Sequence, residues 1–328
     1  GVYRAKCEVY TPQLWSSTKE SATHIGSEGN KRHKARDSTL MELGGSSILV
    51  TGATGAFGNA FVYYLLSLEK PPARIVVYSR GEYRQFLMAQ ELAPIDNGSL
   101  RYMIGDVRDR ERLKRALQDI DIVVHAAALK RIEVGNYNPL EMKKTNIDGA
   151  ANLIEAAHDA GVKKVVALSS DKAFEPISPY GLSKAYSEFL FLAANNITGW
   201  RGPRFSVCRY GNVWNSTGSV VPIWRQMISG GASRVPVTDP DCTRFFMRMN
   251  EAVDLVVKTA ESSESGQIAI PTLPAYRLGD LAEAMGVKID IIGLPSWEKK
   301  HESMSAGNSS DLARRMTINE LKEELARA

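Results

Sequence analysis

One turn constrains this chain more than any other feature. Thr51-Gly52-Ala53-Thr54-Gly55-Ala56-Phe57-Gly58 joins the apolar run Ile48-Leu49-Val50 to Asn59–Leu68, a stretch with helical apolar spacing. Gly52 permits a tight turn, Gly55 lets the backbone approach a bound group without a Cβ clash, and Gly58 allows close packing of helix on sheet. A helix that starts there offers free N–H groups and the positive end of its dipole, a natural seat for phosphate. A purely structural glycine turn is the alternative. The position of this one, at the head of a strand–helix series, argues against it.

The series continues along the chain. Arg74 to Tyr78, Arg101 to Ile104, Ile120 to His125, Lys164 to Leu168 and Phe205 to Arg209 read as short apolar strands. Helical patterns separate several of them: Arg110 to Leu117, a long one from Pro139 to Ala160, and Tyr180 to Asn195. Such alternation predicts an α/β fold, a Rossmann-type doubly wound parallel sheet buried on both faces. After about Asn212 the alternation loosens. Val220 to Gly230, Asn250 to Thr259, Leu278 to Met285 and Ile318 to Ala326 read as helices, with short strands at Ile268 to Ile270 and Ile289 to Ile292. The expected organisation is therefore an N-terminal extension over 1–45, a dinucleotide-binding domain over 46–212 and, over 213–328, mostly a smaller C-terminal substrate-binding lobe.

Composition excludes several classes. Hydrophobic residues make up 44% of the 328, too many for a disordered chain, and no apolar run reaches the roughly 18 residues of a membrane span. A net charge of +4 is too mild to mark a nucleic-acid partner. Three widely spaced cysteines suggest neither a metal site nor a disulfide framework. A cytoplasmic enzyme fits. Residues 1–45 are rich in Ser, Thr, Lys and Gly, and their basic run Lys31-Arg32-His33-Lys34-Ala35-Arg36 reads as a solvated extension, with an anion-binding arm as the alternative.

The expected cofactor is NADP, with NAD open. The second strand ends Val77-Tyr78-Ser79-Arg80 without the acid that usually holds the ribose hydroxyls of NAD; a hydroxyl and a guanidinium suit a 2′-phosphate. Arg84 adds charge, whereas Glu82 is the alternative ribose ligand. Asp106, followed by Val107, is placed to accept from the adenine amino group or to serve as a turn aspartate. Ala126, Ala127 and Ala128 leave room beside the cofactor.

The chemistry lies further on. Tyr180 and Lys184 stand four apart at a helix start and so share a face. A lysine cation beside a phenol lowers its pKa and makes a base usable near neutrality. Upstream, Asp171 and Lys172 occupy the tip of the fifth strand, where ligands of such sheets bind. An adjacent carboxyl and amine there can work as acid and base.

The glycine turn with the Tyr180/Lys184 pair resembles the extended short-chain dehydrogenase/reductase superfamily. His125-Ala126-Ala127-Ala128-Leu129-Lys130, Tyr137-Asn138-Pro139-Leu140-Glu141, Lys144-Thr145-Asn146 and Ser170-Asp171-Lys172 resemble one branch of it, the inverting UDP-N-acetylglucosamine 4,6-dehydratases. So do Arg209-Tyr210-Gly211-Asn212-Val213, Gly218-Ser219-Val220-Val221-Pro222 and Thr243-Arg244-Phe245. The resemblance implies that Tyr180 removes the sugar 4-hydroxyl proton as hydride leaves C4. A neutral Lys172 then takes the C5 proton, and a protonated Asp171 donates to the departing 6-hydroxyl. It further implies a UDP-sugar partner held by Lys130, Asn212, Ser219, Val220, Arg244 and Glu298, with Lys130 also at the cofactor, and a homo-oligomer.

Two segments depart from that pattern. Leu294-Pro295-Ser296-Trp297-Glu298-Lys299-Lys300 has Pro295 where relatives carry an arginine for the diphosphate, and Trp297 where they carry glycine. Thr217 likewise stands at an arginine position, and Trp214 is unusually bulky. Either the substrate is altered or Lys299, Lys300 or Arg244 compensates. Trp214 and Trp297 are packing residues or stack on a ring of the substrate. The competing functions are a 4-epimerase or ketoreductase that uses Tyr180 without Lys172, and, in a different class, a non-catalytic NADP-binding regulator.

Overall fold

The computed structural model describes residues 7–10, 42–199 and 202–327. The short apolar runs pair into one eight-stranded sheet. Its strands are β1 (Cys7–Tyr10), β2 (Ser47–Thr51), β3 (Arg74–Ser79), β4 (Leu100–Ile104), β5 (Ile122–His125), β6 (Lys164–Leu168), β7 (Arg204–Cys208) and, after two strands of the C-terminal region, β10 (Ile268–Pro271). The spatial order is β1-β10-β7-β6-β5-β2-β3-β4. Every neighbour is parallel except β1, which runs antiparallel to β10.

Residues of β2, β5 and β6 are almost wholly buried because helices cover both faces. Those helices include α1 (Ala56–Ser67), α2 (Glu82–Leu92), α3 (Arg110–Ala116), α6 (Gly149–Ala160), α7 (Pro179–Ile197) and α9 (Met249–Glu261). From β2 the chain steps outward to β3 and β4, then returns to β5 on the other side of β2 and proceeds to β6 and β7. That reversal opens a crevice at the carboxyl ends of β2 and β5, the topological position at which such sheets bind ligands.

Two expectations are corrected here. The strand at Ile268 and the helix at Asn250 do not belong to the smaller lobe: β10 joins the main sheet beside β7, and α9 packs on β6, β7 and α1. The expected long helix over 139–160 is not one α-helix. After α4 (Ile132–Tyr137) come α5 (Pro139–Met142), a π-helical stretch over Lys143–Asp148, and then α6. π-turns are rare and concentrate at functional sites.

The remaining elements form a second core. They are α8 (Val220–Ser229), β8 (Arg234–Val237), β9 (Thr243–Phe245), β11 (Ala275–Arg277), α10 (Leu278–Ala284), β12 (Lys288–Ile291), the hairpin β13 (Ser303–Ser305) and β14 (Asn308–Ser309), and α11 (Ile318–Arg327). Val221, Trp224, Val235, Phe246, Tyr276 and Leu321 pack together here. β1 lies within the stretch read as an extension, and the basic run Lys31–Arg36 lies outside the described residues.

Candidate active site

The glycine turn delivers its helix to the crevice. Gly52 has φ +66°, and a Cβ there would stand 2.8 Å from the backbone of Ala127. A Cβ on Gly58 would meet Ala53 Cα at 2.5 Å, so α1 lies hard against the turn. Gly55 caps α1, no side chain bonds its first N–H groups, and its first turn carries no acid. Thr54, Ala56 and Phe57 complete this turn. On the other wall, the Ala127 N–H donates to Thr51 Oγ1 at 3.2 Å, and Thr51 Oγ1 also bonds His125 Nδ1 at 2.8 Å. Burial drives the His125 pKa down to about 3, with the Lys184 charge adding to the shift, so the ring is neutral. Glycine cradle, uncapped helix end and the small Ala126–Ala128 wall together fit a dinucleotide pyrophosphate.

The residues expected around its adenosine half are more engaged than the sequence suggests. Ser79 Oγ accepts from Gln85 Nε2 at 3.0 Å, whereas Arg80 is exposed. Asp106 accepts from the Arg108 backbone N–H at 3.0 Å and pairs with its guanidinium at 2.7 Å. Burial raises the Asp106 pKa, but the Arg108 hydrogen bonds prevail and hold it below the usual range. Asp106 therefore serves as a turn aspartate, beside the buried Val107.

At the tip of β6, Asp171 is fully buried. Its Oδ1 accepts from Ser170 Oγ at 2.9 Å and from Lys172 Nζ at 3.1 Å, and its Oδ2 has no hydrogen-bond partner among the described residues. Lys172 Nζ also donates to Asn212 Oδ1 at 3.3 Å and lies 3.3 Å from Glu302 Oε1. Tyr180, in the first turn of α7, is close enough to the Ser170 side chain and to Lys172 for both to act on its phenol. Phenol, hydroxyl, carboxyl and amine thus form one contiguous cluster.

Charges in this cluster differ from expectation in two ways. Lys172 is not held neutral: burial opposes its charge, but Asp171 and Glu302 outweigh burial and raise its pKa above the usual lysine range. Lys184, for its part, is a weaker cation than expected. Its ammonium donates to the Leu168 carbonyl at 2.5 Å, and burial takes its own pKa down to about 8. Burial raises the Tyr180 pKa, while Lys172 and Ser170 pull it back only in part. Sequence reasoning quoted Ser170 without giving it a role and missed Glu302 in this cluster, because Glu302 arrives from a hairpin 130 residues further along the chain than Lys172.

The other expected substrate residues divide. Arg244 is buried and committed to Glu298, with further bonds to the Thr243 carbonyl at 2.7 Å and the Lys300 carbonyl at 3.0 Å. Lys299 donates to the Phe174 carbonyl, and Lys300 pairs with Asp239 at 2.9 Å. The cations expected to replace the missing arginines are thus already engaged within the chain. Lys130 donates to the Thr217 carbonyl at 3.0 Å, and burial lowers its pKa. Ser219 precedes Val220 at the start of α8 with its buried Oγ unpartnered. Trp214 is a packing residue, 5.0 Å from the Phe246 ring and 5.7 Å from Tyr276, whereas Trp297 is exposed. In the π-turn, Asn146 bonds both backbone groups of Leu129 and, at 2.9 Å, Ser183 Oγ on α7, which ties the cofactor wall to the helix bearing Tyr180.

Comparison with known proteins agrees with this fold and with the sequence resemblance. A chain from Campylobacter jejuni described as UDP-N-acetylglucosamine 4,6-dehydratase (inverting) is 46% identical over 269 residues, which cover 81% of this chain and 79% of that one. A UDP-glucose 4-epimerase of Rickettsia akari is 37% identical over 276 residues, covering 82% and 79%. Among solved structures, Pen from Bacillus thuringiensis superposes with a TM-score of 0.82 at 32% identity, covering 88% of this chain and all of that one. The dTDP-glucose 4,6-dehydratase DesIV from Streptomyces venezuelae, at 22% identity and a TM-score of 0.72, shares the fold over 85% of this chain and 96% of its own. The model of the family described as polysaccharide biosynthesis protein matches residues 48–321, from the first strand of the glycine turn to the last helix, and the chain belongs to that family.

Proposed function

We propose that this chain is a nucleotide-sugar 4,6-dehydratase acting on UDP-N-acetylglucosamine or a close relative. The observation that carries the reading is the buried Asp171–Lys172 pair, braced by Ser170 and acting on the nearby Tyr180 phenol. When bound, a nicotinamide dinucleotide supplies acceptance of hydride from C4 and its return to C6. Everything else falls to side chains. Tyr180 takes the 4-hydroxyl proton, and the resulting 4-ketone acidifies C5–H. One proton shift from Lys172 Nζ to Asp171 Oδ1, across 3.1 Å, turns the resting ion pair into a neutral amine and a carboxylic acid. The amine removes the C5 proton, the acid protonates the departing 6-hydroxyl, and water leaves; C5 then regains a proton from solvent, balanced by the 4-hydroxyl proton that Tyr180 gives up. The pair ends as it began, an ammonium beside a carboxylate, so elimination needs no outside proton.

Incubation with UDP-N-acetylglucosamine in deuterated water tests the reading. A product lighter by one water, with deuterium at C5, is expected. A product that keeps its 6-hydroxyl overturns it in favour of the 4-epimerase reading, which the Rickettsia relative makes the runner-up. The finer assignments rest on the same footing. NADP is the proposed dinucleotide because Arg80 is exposed at the tip of β3 and no acid stands there; the DesIV structure was solved with NAD, which remains the alternative. A cytoplasmic homo-oligomer is proposed. Among the described residues no helix is long and apolar enough to cross a membrane, and α7 exposes an apolar stripe, Leu182, Tyr186, Phe189 and Ile197.

A further inference from the structure

We propose that Glu302 is a positioning residue for Lys172: its carboxylate aims the amine at the sugar and makes it a stronger base for the C5 proton. The proposal rests on the dehydratase reading above.

An ammonium has three N–H donors, and Lys172 Nζ faces three oxygens: Asp171 Oδ1 at 3.1 Å, Glu302 Oε1 at 3.3 Å and Asn212 Oδ1 at 3.3 Å. The three come from three separate parts of the chain, so the amine has a fixed place. Glu302 is itself fixed. Its N–H donates to Ser310 Oγ at 2.9 Å, its carbonyl accepts from the Ser310 N–H at 2.7 Å, and the nearby Met304 carbonyl is held by Arg209. Yet the Glu302 side chain is only 2% exposed, and its Oε2 has no hydrogen-bond partner among the described residues, with Lys299 Nζ 3.9 Å away. An incompletely paired buried carboxylate costs stability. A core that served packing alone would do better with an apolar residue there.

The chemistry gives that carboxylate a use. Taking the C5 proton converts Lys172 from amine to ammonium: the C5–H bond breaks, an N–H bond forms, and the carbon electron pair moves toward the 4-ketone. Glu302 stabilises the ammonium and not the amine, so it favours this step. It also weighs against the prior transfer from Lys172 to Asp171, and Asp171 Oδ1 must lie within hydrogen-bond reach for that transfer to occur at all. Other charged or titratable groups acting around the cluster include Arg244 on β9 with its partner Glu298, Lys299 before β13 with Glu175 acting on it, Tyr180 and Glu188 on α7, and Tyr276 on β11. Among the described residues, Asp171 and Glu302 are the carboxylates paired with the amine.

The test compares native enzyme, Glu302→Gln and Glu302→Asp by two readouts. The first is the pH profile of kcat and KM for dehydration of UDP-N-acetylglucosamine. The second is acetylation of Lys172 by acetic anhydride across pH, read by peptide mass spectrometry, which needs no turnover. Glu302→Gln should change kcat with KM little changed. Its alkaline limb and its Lys172 acetylation curve should both move down by about one pH unit or more. Glu302→Asp should restore part of each shift. Curves that coincide in native enzyme and Glu302→Gln overturn the proposal, whatever happens to the rate. If Glu302→Gln does not fold, the native protein still decides: Lys172 must resist acetylation to higher pH than exposed lysines such as Lys163, and earlier labelling overturns the idea. Native enzyme that dehydrates no sugar nucleotide sinks the dehydratase reading instead, while the labelling arm still reports on the Glu302–Lys172 pair.

Discussion

Arg209, directly after β7, donates to both carboxylate oxygens of Glu188 on α7, with Nε 2.9 Å from Oε1, and its remaining arm reaches the Met304 carbonyl. Both side chains are buried, and the guanidinium lies 5.8 Å from the centre of the Phe174 ring. One fork therefore joins the sheet, the helix that carries Tyr180 and the hairpin that follows Glu302. Arg209→Leu strands a buried carboxylate and should cost about 3–5 kcal/mol. Arg209→Leu combined with Glu188→Leu should recover much of that loss. Urea unfolding of the three variants checks this; a double variant no more stable than the single one would rule out the coupling.

Gly58→Ala should cost about 1–3 kcal/mol and weaken dinucleotide binding, because the new methyl would lie 2.5 Å from Ala53 Cα. Gly199→Ala, where nothing stands within 4 Å, is the control and should leave both unchanged. Calorimetric titration with NADP and thermal unfolding measure the two effects.

Lys164 yields a prediction with a definite sign. It is buried in β6, its Nζ donates to the carbonyls of Ser262 and Glu264, and burial takes its pKa down to about 8. Between that value and the ordinary lysine value the unfolded chain binds more protons than the folded one, so this group's contribution to stability rises with pH across that window. Native protein should therefore gain on Lys164→Met between pH 7 and pH 10, by at most about 3 kcal/mol. A stability difference that does not vary with pH would contradict the buried-amine assignment.

The apolar face of α7 predicts self-association. Phe189 is 66% exposed, and its stripe adjoins α4 and α5, where Tyr137 is 89% exposed and Leu140 71%. Phe189→Glu should shift the mass seen by light scattering to that of a monomer with little loss of thermal stability. A native chain already monomeric at micromolar concentration would remove the basis for this surface.

Arg80→Ser should weaken NADP binding at least about tenfold and leave NAD within a factor of about two, since only the 2′-phosphate needs the guanidinium. Equal losses for both dinucleotides would mean that Arg80 does not read the 2′-position.

Much of this architecture was legible because burial on both faces forces apolar runs. The strands at Ile48, Arg74, Arg101, Lys164 and Phe205 all appear where alternation places them. Helix α2 escaped notice because its exposed face carries Tyr83, Phe86 and Leu87 and blurs the periodicity. The place of β10 in the main sheet could not be read, since a strand's partners are set by topology and not by its own residues. The same holds for Glu302, whose only link to Lys172 is spatial. The charge on Lys172 was misjudged for a related reason: burial alone favours a neutral amine, and the second carboxylate that reverses the balance was not visible.

The widened turn over Lys143–Asp148 has a consequence for how this helix tolerates change. Were these six residues wound as a regular α-helix, everything on one side of them would be turned by about 100°. The Asn146 amide would swing away from Leu129 and Ser183 together, and the wall beside the dinucleotide would lose its tie to the helix of the phenol. Point substitutions on its solvent side leave that phase intact, so the widened winding is what this segment has to conserve.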